Sequence, residues 1–303
     1  MPDDVSRDQW FNNNQVSVGY YCVCFLDFLG QKSELQNLRD AKDSSVDRET
    51  EMRRMMHLGA DLQIFRELAT NLIDRIDHPS DLADTLSPSD RERLIRLKKA
   101  DIRMNFFSDS TVLTVKLAAI EKQRPVMSIF TLIEAVSTLL VTSLIDGVPI
   151  RGGIDIGFGV PLTENEVYGT SLARAYKLES VTARWPRIAV GSELISYLND
   201  QLSGAMGNDD ESRMCRKFAQ ESLSRIVDWK GEKMIDFLDD TQKEVLQQKP
   251  EILAKLVSNV LSQKNSAPDK DIRTKYEELI EYWESRMPGV FFEPLEDGAP
   301  LVR

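Results

Sequence analysis

The chain has 303 residues and is 42% hydrophobic, which is enough apolar material for one large domain or two small ones. Its formal net charge of −11 argues against a surface for duplex nucleic acid, because phosphate contacts need clustered Lys and Arg. The polar, acidic first residues MPDDVSRDQW do not resemble a secretory signal, and the three cysteines have no zinc-binding spacing. These features predict a reduced, cytoplasmic protein that does not bind nucleic acid.

The first half of the chain is predicted to contain two strand ends that each carry an aspartate. Residues 17–28 form a strand whose last residues lie within VCFLDFLG, so Asp27 lies near its end. Residues 49–77 repeat apolar side chains, several of them Met, at helical spacing, and we expect a long amphipathic helix with the Met side chains in the core. Residues 102–117 alternate in polarity about a polar turn, which predicts a β-hairpin with Asp109 at or beside its tip.

The longest apolar run, residues 126–145, approaches the length of a membrane span. Polar residues recur within it every three or four positions as one narrow stripe, so we expect a buried helix and no membrane association. The remaining elements are predicted in this order: a strand at 149–157, a helix at 169–182, a strand at 187–191, a helix at 194–204, a surface loop at 205–213, strands at 224–229 and 233–238, and two helices within 243–287. Mixed strands with covering helices indicate an α+β fold around one antiparallel-rich sheet.

Asp27 and Asp109 are the candidate metal ligands. Two carboxylates at adjacent strand ends suit Mg²⁺ or Mn²⁺, which prefer hard oxygen ligands, and paired ions of this kind serve phosphoryl chemistry. Each residue also has a purely structural explanation, since Asp commonly ends strands and forms turns. The joint occurrence of the two residues in apolar contexts strengthens the metal hypothesis and leaves both explanations open.

The candidate phosphate-binding residues are cations beside glycines or on a helix. Arg151 opens IRGGIDIG, where an Arg can reach a phosphate and the glycines let a ligand approach closely. Arg174 and Lys177 lie near the first turns of the helix at 169–182 and would stabilise charge on a transferring phosphorus. Lys230 and Lys233 flank a Gly turn. Each of these residues could instead be an ordinary surface charge.

Taken together, these motifs resemble those of the class III nucleotidyl cyclases. FLDFLG is similar to the family's first metal motif, the hairpin tip at Asp109 to its second metal site, and RGGI from Arg151 to its phosphate-binding strand. Residues 169–179 follow the register of the family's last core helix. The resemblance covers about residues 20–240.

The resemblance implies a cyclase-like, ferredoxin or palm-type sheet covered by helices. The catalytic domain would occupy residues 1–240, with a helical insertion at about 31–100, and residues 241–303 would form a helical C-terminal extension.

Two departures from the family pattern bear on activity and substrate. The family's helix asparagine falls on Ala173 and its transition-state arginine on Lys177, with Arg174 nearby as a substitute. The positions that read the purine base fall on Asn105 and Glu166 and lack the expected Lys and Asp pair. The segment VYGTSLARAYKLES more closely resembles the pyrimidine cyclases of bacterial Pycsar anti-phage systems.

That resemblance implies a soluble homodimeric lyase whose active sites are shared between subunits. It would convert UTP, or alternatively CTP, to the 3′,5′-cyclic monophosphate and pyrophosphate, and the product would activate a separate effector. Two Mn²⁺ or Mg²⁺ ions per site would be held by Asp27, Asp109 and the main-chain carbonyl of Phe28, while Lys177 or Arg174 would stabilise the transition state. The substrate-binding residues implied by the resemblance are Phe25, Asn105, Arg151, Glu166, Lys230 and Lys233.

Two other functions stay open at this point. A purine cyclase is compatible with the acidic Glu166, which can accept a hydrogen bond from a base amino group. A non-catalytic cyclase-fold protein that binds nucleotide and regulates a partner is compatible with the departures at Ala173 and Lys177. A diguanylate-cyclase palm is disfavoured because the chain has no GG[DE]EF turn.

Overall fold

A computed structural model describes residues 18–30, 48–77, 102–117, 126–163, 165–203, 210–267 and 269–291. The strands are β1 Gly19–Phe28, β2 Ile102–Phe107, β3 Ser110–Lys116, β4 Ile150–Pro161, β5 Val167–Gly169, β6 Ile188–Val190, β7 Ile226–Trp229 and β8 Glu232–Ile235. The helices are α1 Arg48–Asp77, α2 Val126–Ile145, α3 Thr170–Lys177, α4 Ser192–Ser203, α5 Asp210–Ser224, α6 Asp240–Gln248, α7 Pro250–Ser266 and α8 Lys270–Arg286. A π-helical turn, Leu178–Thr182, continues α3. Of the insertion predicted at about 31–100, only α1 lies within the described residues.

The strands form one sheet of eight in the order β2-β3-β1-β4-β6-β8-β7, with β5 paired to β4. Every pair is antiparallel except β4 with β6. The α+β class and the antiparallel-rich sheet predicted from the sequence are therefore confirmed. The predicted hairpin at 102–117 is also confirmed, since β2 and β3 pair directly across a two-residue turn that contains Asp109.

The two faces of β1 meet different helices because successive side chains of a strand point to opposite sides. Cys22, Cys24 and Leu26 belong to the main hydrophobic core, which includes α2. Tyr21 and Val23 belong to a smaller cluster with Ala175 of α3. Asp27 is an even number of residues from Tyr21 and Val23, so its side chain lies on the same side of the sheet, the side that faces α3.

Helix α2 is the apolar run at 126–145, and it is buried as predicted. Among the described residues it is the one helix long and apolar enough to cross a membrane, yet 72% of its most apolar window is buried inside the protein. Its C-terminal end is capped by α7, where the Asn259 side chain donates to the carbonyl of Ile145 at 2.7 Å. A core helix covered in this way is consistent with a soluble protein.

The C-terminal region forms three helices, α6 to α8, where the sequence predicted two. Pro250 begins α7 as expected, because its fixed φ suits the first turn of a helix. Tyr282 and Trp283 of α8 are fully buried in the main core, and the Tyr282 hydroxyl donates to the buried carboxylate of Asp236 at 2.6 Å. The extension and the sheet therefore share one core.

The prediction that the Met side chains of the 49–77 helix lie in the core was wrong. Met52, Met55 and Met56 of α1 are 66%, 52% and 71% exposed. The stripe that packs on the core begins further along, with Phe65 and Ala69 fully inside it. The amphipathic pattern predicted the helix, but it did not show where along the helix the core begins.

The prediction of a surface loop at 205–213 was wrong at its C-terminal end, because α5 begins at Asp210. The buried side chains of Cys215 and Ala219 lie four residues apart on one face of this helix. That spacing was present in the sequence but was obscured by the charged residues around it.

Candidate functional site

The candidate site lies where β1 ends between β3 and β4. Asp27 is directly opposite Ser110 on one side and Arg151 on the other. The Ser110 hydroxyl donates to Oδ1 of Asp27 at 3.1 Å, and Nη2 of Arg151 lies 3.5 Å from Oδ2. The central strand of the sheet thus presents its aspartate between a donor and a cation.

Asp109 joins this end of the sheet through the β2–β3 turn. The turn residue before it, Ser108, has a φ of 49°, and Ser110 directly after it faces Asp27. Partial burial raises the pKa of Asp27, and the nearby negative charge of Asp109 raises it further. The structure therefore brings together the two aspartates that the sequence identified as a pair.

Glu179 is a third carboxylate at this site, and the sequence analysis gave it no role. It lies in the π-helical turn after α3, is only 2% exposed, and has its Oε1 2.6 Å from Nη2 of Arg151. Burial raises its pKa from 4.5 to about 7; the Arg151 guanidinium opposes this, whereas the charges of Asp27 and Asp109 add to it. Its position in the cyclase-like helix pattern, immediately before Ser180, was the available signal.

The glycines after Arg151 explain how Glu179 reaches the sheet. A Cβ on Gly153 would lie 2.3 Å from the main-chain oxygen of Ala175 and 2.5 Å from Cβ of Leu178. A Cβ on Gly157 would lie 2.7 Å from the main-chain nitrogen of Ser171. We expected the Gly152-Gly153 pair to admit a ligand, but Gly152 packs against β1 and Ile188, and the space beside Gly153 is filled by α3 and the turn that follows it.

The balance of charge at the site suits a divalent cation. Three carboxylates interact here with one guanidinium, that of Arg151, which leaves an excess of negative charge. Within the described ranges no group of three or more His, Cys, Asp or Glu is arranged to hold a metal ion. The Asp27 and Asp109 pair nevertheless fits Mg²⁺ or Mn²⁺, because such ions are commonly held by one or two carboxylates and complete their shell with water and substrate phosphates.

The two predicted transition-state cations differ in their surroundings. Nη1 of Arg174 donates to the carbonyl of Ile156 on β4 at 2.8 Å and lies 3.9 Å from Glu193. Lys177, at the end of α3, is exposed and has no ion-pair partner in the part of the chain that the structure describes. Both side chains are exposed, but Arg174 is held by these contacts whereas Lys177 is left to meet a ligand or another molecule.

Of the predicted substrate-binding residues, Phe25 and Asn105 lie on the α3 side of the sheet, whereas Glu166 lies beyond the end of β4 that is farthest from Arg151. Asn105 is opposite Val112 of β3 and half-buried. The ring of Phe25 packs edge-on against that of Tyr176 of α3, with centroids 5.4 Å apart. Glu166 is half-buried just before β5.

Lys230 and Lys233 do not join this site within one chain. They belong to the β7–β8 hairpin, and β4 and β6 lie between β8 and β1. Nζ of Lys230 lies 2.5 Å from Glu281 of α8, and Nζ of Lys233 lies 3.2 Å from Asp228. Any contact of these lysines with a phosphate at Asp27 would need a second subunit.

Comparison with known proteins does not add a family assignment. No protein-family model matches the chain, and a search of curated proteins gives no match. The function of the chain is therefore inferred from the site itself and from the motifs that form it.

Proposed function

We propose that the chain is a nucleotidyl cyclase that converts a pyrimidine nucleoside triphosphate, with UTP favoured over CTP, to its 3′,5′-cyclic monophosphate. The observation that carries this proposal is the pairing of Asp27 and Asp109 at neighbouring strand ends, with Arg151 beside them. This arrangement combines a divalent-cation site with a phosphate-binding cation at one edge of a sheet. A structural role alone does not require two carboxylates to share a partly buried position.

The proposed roles follow from the contacts of each side chain. Asp27 and Asp109, with the main-chain carbonyl of Phe28, would hold two Mn²⁺ or Mg²⁺ ions, which when bound supply Lewis-acid activation of the ribose hydroxyl and neutralise the phosphates. Ser110 orients the Asp27 carboxylate by its hydrogen bond. Arg151 lies close enough to the aspartates to bind a triphosphate oxygen beside them.

A homodimer would complete the site. Lys177 projects from the α3 side of the sheet beside the exposed apolar side chains of Tyr176 and Val181, and Phe107 on the same side is also exposed. Exposed apolar side chains grouped near a cation are typical of a protein interface. We infer that Lys177 of one subunit, with Arg174 as the alternative, faces the aspartates of the other.

The pyrimidine preference and the biological role derive from the resemblance of the α3 segment. Asn105 and Glu166 occupy the positions that would contact the base and lack the pair typical of adenine recognition. On this proposal the protein is a cytoplasmic defence enzyme whose product activates a separate effector, and its 1–240 region is the catalytic domain.

The deciding experiment incubates the purified protein with ATP, GTP, CTP or UTP and Mn²⁺ and resolves the products by chromatography. A cyclic pyrimidine nucleotide supports the proposal, and cyclic AMP or GMP would make the chain a purine cyclase. If the protein binds nucleotide but forms no product from any of the four nucleoside triphosphates, the result would favour the non-catalytic regulator suggested by Ala173 and Lys177.

The shared site has its own test. Asp27→Ala and Lys177→Ala proteins should each be inactive alone, whereas mixing them should restore part of the activity, because one site of each heterodimer keeps both groups. Absence of rescue after demonstrated subunit exchange would contradict the composite site or the role of Lys177.

A further inference from the structure

Two adjacent residues of α1 contact the backbone segments that carry the two aspartates. Phe65 packs on Phe28, the residue directly after Asp27. Arg66 hydrogen-bonds to Ser108, the residue directly before Asp109. One turn of a helix from the insertion therefore touches both halves of the candidate metal site.

The Phe65 contact supports β1 from the side opposite the site. Phe65 and Phe28 are both buried, with ring centroids 4.7 Å apart at an interplanar angle of 77°. Because neighbouring side chains alternate across a strand, Phe28 points into the main core while Asp27 points toward α3. An edge-on aromatic pair of this kind adds about 0.5–1.5 kcal/mol beyond its buried area.

The Arg66 contact holds the β2–β3 turn. Nη2 of Arg66 donates to the main-chain carbonyl of Ser108 at 2.6 Å, and its guanidinium carbon lies 5.0 Å from the ring centroid of Phe106. Ser108 has a φ of 49°, a left-handed conformation that costs a residue with a side chain about 1–2 kcal/mol. A charged donor on the carbonyl of such a residue stabilises the turn in the form that presents Asp109.

We infer that Phe65 and Arg66 form a clasp that fixes the separation of Asp27 and Asp109 and so sets the affinity of the site for divalent cations. This inference rests on the proposed function for the identity of its ligand. Neither clasp residue touches the cation; both are positioning residues that act through the backbone on either side of it. The exposed Met side chains of α1 lie in its N-terminal half. The clasp gives a role to the part of the helix that follows them.

The test measures Mn²⁺ binding to the full chain without nucleotide, by electron paramagnetic resonance of free Mn²⁺. Arg66→Met keeps the length of the side chain but removes its donors and charge, and we expect it to weaken Mn²⁺ binding by about 10-fold or more, the range seen when an outer-shell partner of a metal site is lost. Arg66→Lys keeps a donor and a cation over Phe106 and should restore binding to within about threefold of wild type. Arg53→Met, which removes an exposed ion pair with Glu49 in the same helix, is the matched control and should bind Mn²⁺ as the wild type does.

A second variant and a second measurement separate positioning from folding. Phe65→Leu retains an apolar side chain in the core and should weaken Mn²⁺ binding by about threefold or more, with a fall in melting temperature of only a few degrees from the loss of the ring pair. Amide hydrogen exchange at residues 106–110 should rise in Arg66→Met and fall on Mn²⁺ addition in the wild type. Wild-type Mn²⁺ affinity in both Arg66→Met and Phe65→Leu would overturn the clasp alone, whereas failure of the wild type to bind Mn²⁺ at all would overturn the proposed function together with it.

Discussion

Replacing Glu179 by Gln should change how the stability of the metal-free protein depends on pH. The Glu179 carboxyl is buried next to Asp27 and Asp109, and its pKa is raised from 4.5 to about 7. In the unfolded chain the same carboxyl has its ordinary pKa, so between pH 4.5 and 7 the folded state keeps a proton that the unfolded state has lost. The free energy of unfolding must therefore fall as the pH rises through this window.

The magnitude follows from the size of the pKa change. Each tenfold change in proton affinity corresponds to about 1.4 kcal/mol, so a pKa raised from 4.5 to about 7 corresponds to about 3 kcal/mol. This stabilisation is fully present below pH 4.5 and is lost once the pH passes about 7. Gln has no proton to lose in this range, so Glu179→Gln should gain about 3 kcal/mol relative to wild type between pH 4.5 and pH 8.

Urea unfolding in EDTA at half-unit pH steps would measure this difference. Glu193→Gln is the matched control, because it removes a carboxylate that is about half exposed and lies 3.9 Å from Arg174. A difference between Glu179→Gln and wild type that stays constant from pH 4.5 to 8 would refute the burial of the Glu179 carboxyl beside Asp27 and Asp109.

Three further outcomes test other parts of the structure. On the proposed function, Asp27→Asn and Asp109→Asn should each lower cyclase turnover by more than about 100-fold without lowering the melting temperature, because each loses a proposed metal ligand and relieves a like-charge contact; turnover within tenfold of wild type in either would exclude that residue as a ligand. Gly153→Ala should lower the free energy of unfolding by about 1–3 kcal/mol, since its Cβ would meet a main-chain oxygen at 2.3 Å, while Gly59→Ala, with open space in α1, should raise it by about 0.5–1 kcal/mol. Tyr282→Phe should cost about 1–3 kcal/mol in the same urea assay, because it leaves a buried carboxylate without one of its donors, and an unchanged midpoint would show that α8 is not anchored there.

The sequence predicted the elements that form the centre of the sheet. The alternation around Asp109 and the apolar run ending at Asp27 specify strands by their period, and a two-residue connection brings β2 and β3 together. The pairing of β1 with both β3 and β4 depends on contacts between residues far apart in the chain, which periodicity does not encode. The resemblance implied only a ferredoxin or palm-type sheet, and the register of Asp27 with Ser110 is known from the structure.

What the sequence did not predict depends on contacts between distant segments. The burial of Glu179 follows from the approach of α3 to Gly153, and neither segment predicts that approach alone. The contact of Arg66 with the Ser108 carbonyl joins a helix to a turn 42 residues away, and no spacing rule predicts it. Conversely, the helical repeat at 49–77 correctly predicted α1 but could not show that the Met side chains of its first turns are exposed.

The position of α8 in the core has a consequence for biosynthesis. Tyr282 and Trp283 are among the largest side chains that are completely enclosed, and they fill the space beside Trp185 and Phe237. Until these residues leave the ribosome, a nascent chain exposes the apolar walls that they cover, although every strand of the sheet has already been translated. Folding of the sheet must therefore be completed late, and a chain interrupted before α8 should be a substrate for chaperones and proteases rather than a smaller folded protein.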